Sequence, residues 1–248
     1  MQVKELLWYT CGIMLLPVLL LQGVWVRWRT PKLEEAEGER CGVSGEGEPL
    51  EVLILGDSAA AGVGVTHQSQ ALVGQMTAAL APHRKVSWQV MATSGDDCRD
   101  ALTKVQQCDA SAKDWVLLSL GVNHVTRLAP LASFDTELRA LLEQIQLKFN
   151  PSQLVFFELP PMHAFPALPQ PLRWWLGWRA KQVSQRAELI MAPHPSALFS
   201  SVPYRLEPSH IAADGFHPGE GAYSVWGSFS AQLILNREGD LQSNHRQD

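Results

Sequence analysis

The sequence predicts an α/β domain with a mainly parallel sheet covered by helices on both faces, preceded by a transmembrane helix. Three observations predict this. Short apolar runs rich in Val, Ile and Leu recur through residues 50–235, several of them ended by Gly or Pro, as buried parallel strands require. Longer stretches with apolar residues at helical spacing alternate with them. Near the N-terminus, Leu6 to Val26 is mostly apolar and uncharged, and as a helix it reaches roughly 30 Å, one hydrocarbon core.

That first run defines an N-terminal segment, residues 1–29, expected to be an uncleaved anchor. Trp8 and Tyr9 flank one end and Trp25 and Trp28 the other, where amphipathic rings suit the two membrane interfaces. A cleaved signal needs small residues at its end, but this run finishes in Val24-Trp25-Val26-Arg27-Trp28-Arg29. Arg27, Arg29 and Lys32 follow the run and Lys4 precedes it, which leans the domain that follows toward the cytoplasmic side. Residues 30–49 are acidic and Gly-rich without apolar periodicity and read as a solvated linker. Because no candidate site residue lies there, a chain beginning near Glu46 is expected to fold and stay active. Residues 236–248 read as a polar tail.

Within the domain, Leu50–Leu55 reads as the first strand and Gln70–Leu80 as the helix after it. Val86–Met91 is a second strand, Asp97–Val105 a helix, and Trp115–Leu120 a third strand stopped at Gly121. Phe134–Phe149 is a helix with Leu138, Leu141, Leu142 and Ile145 on one face, stopped by Pro151. Leu154–Leu159 is a fourth strand, followed by Pro160-Pro161. Two further helices run from Leu172 to Ile190 and from beyond Pro218 to Leu235.

Composition excludes several classes of function. With 46% hydrophobic and 18% charged residues the chain carries no signature of disorder. A formal net charge of −5 and the absence of any basic stripe argue against nucleic acid as a partner. The four cysteines, Cys11, Cys41, Cys98 and Cys108, include no CxxC pair, so a structural zinc site is not expected; isolated thiols are favoured over a Cys98–Cys108 disulfide. Neither HExxH, nor a P-loop, nor the GxSxG elbow occurs.

Ligands of such sheets bind at the carboxyl ends of the strands, so the residues that follow each strand matter most. After the first strand comes Gly56-Asp57-Ser58, a hydroxyl at a strand-to-helix turn. After the second comes Ser94-Gly95, where a glycine lets a backbone N–H approach a ligand closely. After the third comes Gly121-Val122-Asn123-His124, whose Asn amide is able to donate to a developing oxyanion. Before the last helix stands Asp214-Gly215-Phe216-His217-Pro218, in which Asp214 is placed to orient the imidazole of His217 as a general base. Taken singly, such segments read better as turns or helix caps than as a site. Together they supply a nucleophile, donors, a base and an orienter at one sheet edge.

In this combination and order, residues 50–235 resemble the SGNH (GDSL-like) hydrolases, and Ala59-Ala60-Ala61-Gly62-Val63-Gly64 and Leu159-Pro160-Pro161-Met162 resemble its lipase/esterase branch. The resemblance implies a flavodoxin-like three-layer α/β/α fold with no metal or other cofactor. It implies Ser58, Asp214 and His217 as a catalytic triad, and an oxyanion hole made of the Ser58 and Gly95 N–H groups and the Asn123 side chain. The chain departs from the usual Gly-x-Asn-Asp block in carrying His124, for which a hydrogen bond to backbone is favoured over a second catalytic base. The expected reaction is hydrolysis of carboxylic esters with a hydrophobic acyl chain through an acyl-Ser58 intermediate. A glycan O-deacetylase, an acyltransferase and an inactive membrane-tethered binding module are the alternatives. The Pro- and aromatic-rich segment 163–178 offers Phe165, Trp174 and Trp175 as substrate-binding candidates, with packing of these rings on the next helix as an equal alternative.

Overall fold

The computed structural model describes residues 3–203 and 207–244, with side chains described from Met14 onward apart from residue 208 and residues 239–244. Six strands form one sheet: β1 (Cys41–Ser44), β2 (Pro49–Gly56), β3 (Lys85–Ala92), β4 (Trp115–Ser119), β5 (Gln153–Phe157) and β6 (Ala197–Ser200). Their order is β1-β3-β2-β4-β5-β6, and only the β1–β3 pair is antiparallel. The parallel strands therefore run β3-β2-β4-β5-β6, the flavodoxin-like order, whose direction of winding reverses at β2.

Alternation along each strand feeds two cores. Leu53 and Leu55 of β2, Val116 and Leu118 of β4, and Leu154 and Phe156 of β5 face one side. There they meet helices α3 (Cys98–Gln107), α5 (Leu131–Phe149) and α6 (Leu172–Met191), with Phe134, Leu138, Ile145 and Val183 filling the layer. Val52, Ile54, Leu117, Val155 and Phe157 face the other side. They meet α2 (Leu72–Leu80) and α7 (Glu220–Asn244) through Met76, Tyr223, Trp226 and Ile234. A short helix, α4 (Val122–Thr126), follows β4 directly. Cys98 and Cys108 are separate thiols.

Two segments differ from the sequence expectation. Residues 30–49 are not a solvated linker: they contribute β1, bury Ala36, and bridge to the loop after β2 through Glu37 N–H to Thr66 O and Gln68 N–H to Glu37 O. The strand was missed because an edge strand of alternating exposure lacks an apolar run. Residues 236–244 are not a frayed tail but continue α7, and Glu238 there pairs with Arg84 at 2.7 Å. The expected anchor belongs to α1 (Val3–Arg29), but residues 6–13 of the Leu6–Val26 run have side chains outside the described residues. Among the described residues no helix is long and apolar enough to cross a membrane. Leu19 of α1 packs into the α3/α5/α6 core, and Gln22 bonds the Gln170 carbonyl and the Leu172 N–H at 2.7 and 3.0 Å.

Removal of residues 1–45 should therefore destabilise the domain, contrary to the expectation from sequence. A chain starting at Glu46 should melt about 5 °C or more below one starting at Thr30, the shift that follows a loss of about 2 kcal/mol in a domain of this size. Thermal denaturation of the two chains followed by circular dichroism checks this.

Candidate active site

The site is built where β2, β3 and β4 end at one level, because Gly56 is in register with Ala92 on one side and Ser119 on the other. Asp57 N–H continues the ladder to Ser119 O at 3.1 Å, and the chain then turns so that Ser58 stands above the sheet edge. The turn is fixed from below. Asp57 is buried and its Oδ1 accepts the Ala59 N–H at 3.1 Å. Ala60 and Ala61 are fully buried, and the Tyr223 hydroxyl donates to the carbonyls of Ala59 and Val63. Gly64 closes this loop at φ +108°, where a Cβ would lie 2.1 Å from the Pro218 carbonyl. The nucleophile loop thus rests directly on the segment that carries His217.

Asp214, His217 and Ser58 form a continuous hydrogen-bonded line. His217 Nδ1 lies 2.5 Å from Asp214 Oδ2, and His217 Nε2 lies 2.9 Å from Ser58 Oγ. The buried carboxylate places the ring proton on Nδ1, which leaves Nε2 to accept from the serine hydroxyl. Asp214 Oδ1 also accepts the N–H groups of Phe216 and His217, each at 3.0 Å. Burial pushes the Asp214 carboxyl upward, but the imidazole and the two backbone donors outweigh it and hold the group below its ordinary range.

The loop after β3 and the start of α4 leave the sheet at the same level as the Ser58 turn. Asn123 Nδ2 donates to Asp96 O at 2.8 Å, tying the two together. Neither the Ser58 N–H nor the Gly95 N–H donates to any acceptor among the described residues. Two unoccupied amides and a carboxamide of fixed orientation thus sit in the loops that leave β2, β3 and β4 at one level, groups of the kind an oxyanion would need. A cleft opens beside Ser58 and His217, lined mainly by apolar groups: Leu120, Val122, Phe157, Leu159, Ile211 and Trp226 among them. Glu158 and His210 add polar edges.

Asp214 and His217 are brought into line with Ser58, while Gly95 and Asn123 lie in loops that leave the sheet at the same level. Phe165 lines the cleft and stacks edge-on against Phe216 at 5.1 Å. Trp174 and Trp175 do not line it, a correction to the sequence expectation. They sit in the first turn of α6, whose inward face is Leu172, Leu176 and Ala180; Trp174 is exposed and Trp175 packs on Trp178. His124 is buried, its Nε2 lies 3.0 Å from Pro130 O, and its ring meets the edge of Phe134, so it bonds backbone away from the cleft. Sequence reasoning missed Tyr223, Asp96 and Arg127. For Arg127 a signal existed: it lies one helical turn beyond Asn123.

Residues 54–225, more than half the chain, match the GDSL-like Lipase/Acylhydrolase family. No curated protein matches at a significant level. Similar solved structures include a lipase/acylhydrolase from Enterococcus faecalis at 20% identity, covering 76% of this chain and 96% of that one with a TM-score of 0.59. They also include phospholipase A1 from Streptomyces albidoflavus, at 18% identity, 75% and 98% coverage and a TM-score of 0.56. An acetylxylan esterase from Geobacillus stearothermophilus aligns at 20% identity, 77% and 94% coverage and a TM-score of 0.51. At these identities the likeness is one of fold.

Burial also sets a pH dependence of stability. Asp57 is pushed from its ordinary 3.8 up to about 7, first by burial and further by nearby Asp96, against the Ala59 N–H and His217. Below pH 3.8 the folded and unfolded chains both hold the proton and Asp57 costs nothing. As pH rises from 3.8 to about 7 the unfolded chain ionises first, so stability falls, and above about 7 the loss is constant. Asp57→Asn keeps the Oδ1 acceptor, so its stability advantage over the parent should grow across that window and then level off. Urea denaturation at a series of pH values measures it.

Proposed function

The chain belongs to the GDSL-like Lipase/Acylhydrolase family, and from that premise we propose that it is a serine esterase or lipase acting on carboxylic esters with an apolar acyl chain. The observation that carries the reading is the line Asp214–His217–Ser58, with separations of 2.5 and 2.9 Å. Ser58 Oγ attacks the ester carbonyl carbon as His217 Nε2 takes its proton. The carbonyl oxygen, now carrying the negative charge, receives the N–H groups of Ser58 and Gly95 and the second amide hydrogen of Asn123. The charge returns to re-form the carbonyl, the ester C–O bond breaks, and the leaving alkoxide takes the proton from His217. Water then repeats the sequence on acyl-Ser58, and the acid departs. Asp214 stabilises the imidazolium at each half-reaction.

The apolar lining of the cleft supports an acyl chain over a sugar as the group held beside Ser58. Phe165 and Phe216 wall its outer side. The anchor reading is part of the same proposal: α1 exposes Met14 (78%), Leu21 (72%), Val24 (70%) and Trp28 (84%), side chains that suit lipid. Full-length protein should accordingly stay with membranes through an alkaline wash, and its release would remove the anchor from the proposal while leaving the hydrolase.

Ser58→Ala and His217→Ala should each lower ester turnover by about four orders of magnitude, and the double variant should be hardly worse, because the two act as a unit. Steady-state hydrolysis of p-nitrophenyl esters from acetate to decanoate measures both the loss and the acyl preference. Near-parent activity in Ser58→Ala would overturn the mechanism; turnover confined to acetate would favour a deacetylase.

A further inference from the structure

We infer that Arg127 and Glu35 are positioning residues that clasp the Ser94–Gly95 peptide from both sides and so aim its N–H at the oxyanion. The inference rests on the reading of Gly95 as an oxyanion donor. Arg127 reaches back from the end of α4: its Nη2 donates to Gly95 O at 2.8 Å and its Nη1 to Asp97 Oδ2 at 2.6 Å. Glu35 approaches from the segment before β1, where its Oε1 accepts the Ser94 N–H at 2.6 Å, and Arg40 holds its other oxygen at 2.8 Å.

The geometry is specific to the donor peptide. The Ser94 N–H belongs to the peptide before Ser94–Gly95, and the Gly95 carbonyl belongs to the peptide after it. Both flanking peptides are pinned, and the one between them keeps its N–H unoccupied among the described residues. Gly95 sits at φ +94°, a conformation reached by glycine with no side chain to brace it, so its orientation depends on what its neighbours bond. Two further bonds support the loop from within, Asp96 Oδ2 from Thr93 N–H at 3.0 Å and Asn123 Nδ2 to Asp96 O at 2.8 Å. Arg127 is half exposed, so its ion pair with Asp97 is screened and contributes little to stability. Its worth is directional: an oxyanion donor acts only when already in place as charge develops.

The test uses the full-length enzyme with an ester substrate and a trifluoromethyl ketone, which adds reversibly to Ser58 and places a charged oxygen in the hole. Arg127→Ala and Glu35→Ala should each lower kcat about tenfold with KM within about twofold, a fraction of the loss from removing a donor outright. The inhibition constant of the ketone should rise by the same factor as kcat falls, and Arg127→Lys should recover part of both. Arg99→Ala, which removes the Arg99–Glu137 ion pair on the neighbouring face of α3, should move neither quantity. If Arg127→Ala does not fold, Glu35→Ala carries the test alone. Should both variants keep kcat and ketone affinity while Asn123→Ala loses about 10²–10³ in kcat, the hole stands and the clasp is wrong. Should Asn123→Ala also be fully active, the hole is misassigned and the inference falls with it.

Discussion

The register of β2 between its two parallel neighbours is the constraint on which the site depends. Gly56 lies level with Ala92 and with Ser119, so three loops leave the sheet at the same height, two to four residues before Ser58, Gly95 and Asn123. A slip of one residue in either pairing would turn the inward and outward side chains over and carry a donor away from the nucleophile. The buried alternation Leu53/Leu55 against Val52/Ile54 fixes that register, since each set fills a different helix layer. The core therefore holds the chemistry in place without supplying any of it.

The base arrives from the opposite end of the chain, and its placement needs a second set of contacts. Pro218 presses against Gly64, Tyr223 on α7 bonds the nucleophile turn at Ala59 and Val63, and Asp214 gathers its own turn by accepting the Phe216 and His217 N–H groups. α7 and α2 pack on the same face of the sheet, so the helix that carries Tyr223 is positioned by the core that also supports β2. The buried carboxylates in this region, Asp57 and Asp214, each accept backbone N–H groups, as burial beside an apolar cleft demands.

The segment before the sheet acts as a strap rather than a tether. Ala36 is buried, Glu37 bridges to the loop after β2, Glu35 reaches the loop after β3, and β1 covers the edge of β3. Covering that edge also removes an unpaired row of N–H and C=O groups that would otherwise invite association. Continuity from α1 through this strap means that the N-terminal helix and the oxyanion loop share one stretch of chain.

The sequence by itself determined the layered α/β plan, because apolar runs at strand length alternating with helical periodicity have few other ways to bury themselves. It also determined the candidate set, since Ser58, Gly95, Asn123, Asp214 and His217 each follow a strand or precede a helix where a site can form. Buried runs and strand-end motifs are local signals, readable within a few residues. Tertiary structure alone decided what depends on distant partners. Residues 30–49 read as polar linker because an edge strand and a strap take their order from hydrogen bonds to β3 and its loops, not from apolar surface of their own. Residues 236–244 stay helical where α7 continues past Glu238, paired with Arg84. Trp174 and Trp175 read as cleft candidates because they belong to the aromatic stretch after the fourth strand, but they sit on α6 and do not line the cleft. Arg127 received no role from the sequence, and the fold sets it against Gly95 and Asp97. Such roles come from contacts across tens of residues, which composition does not record.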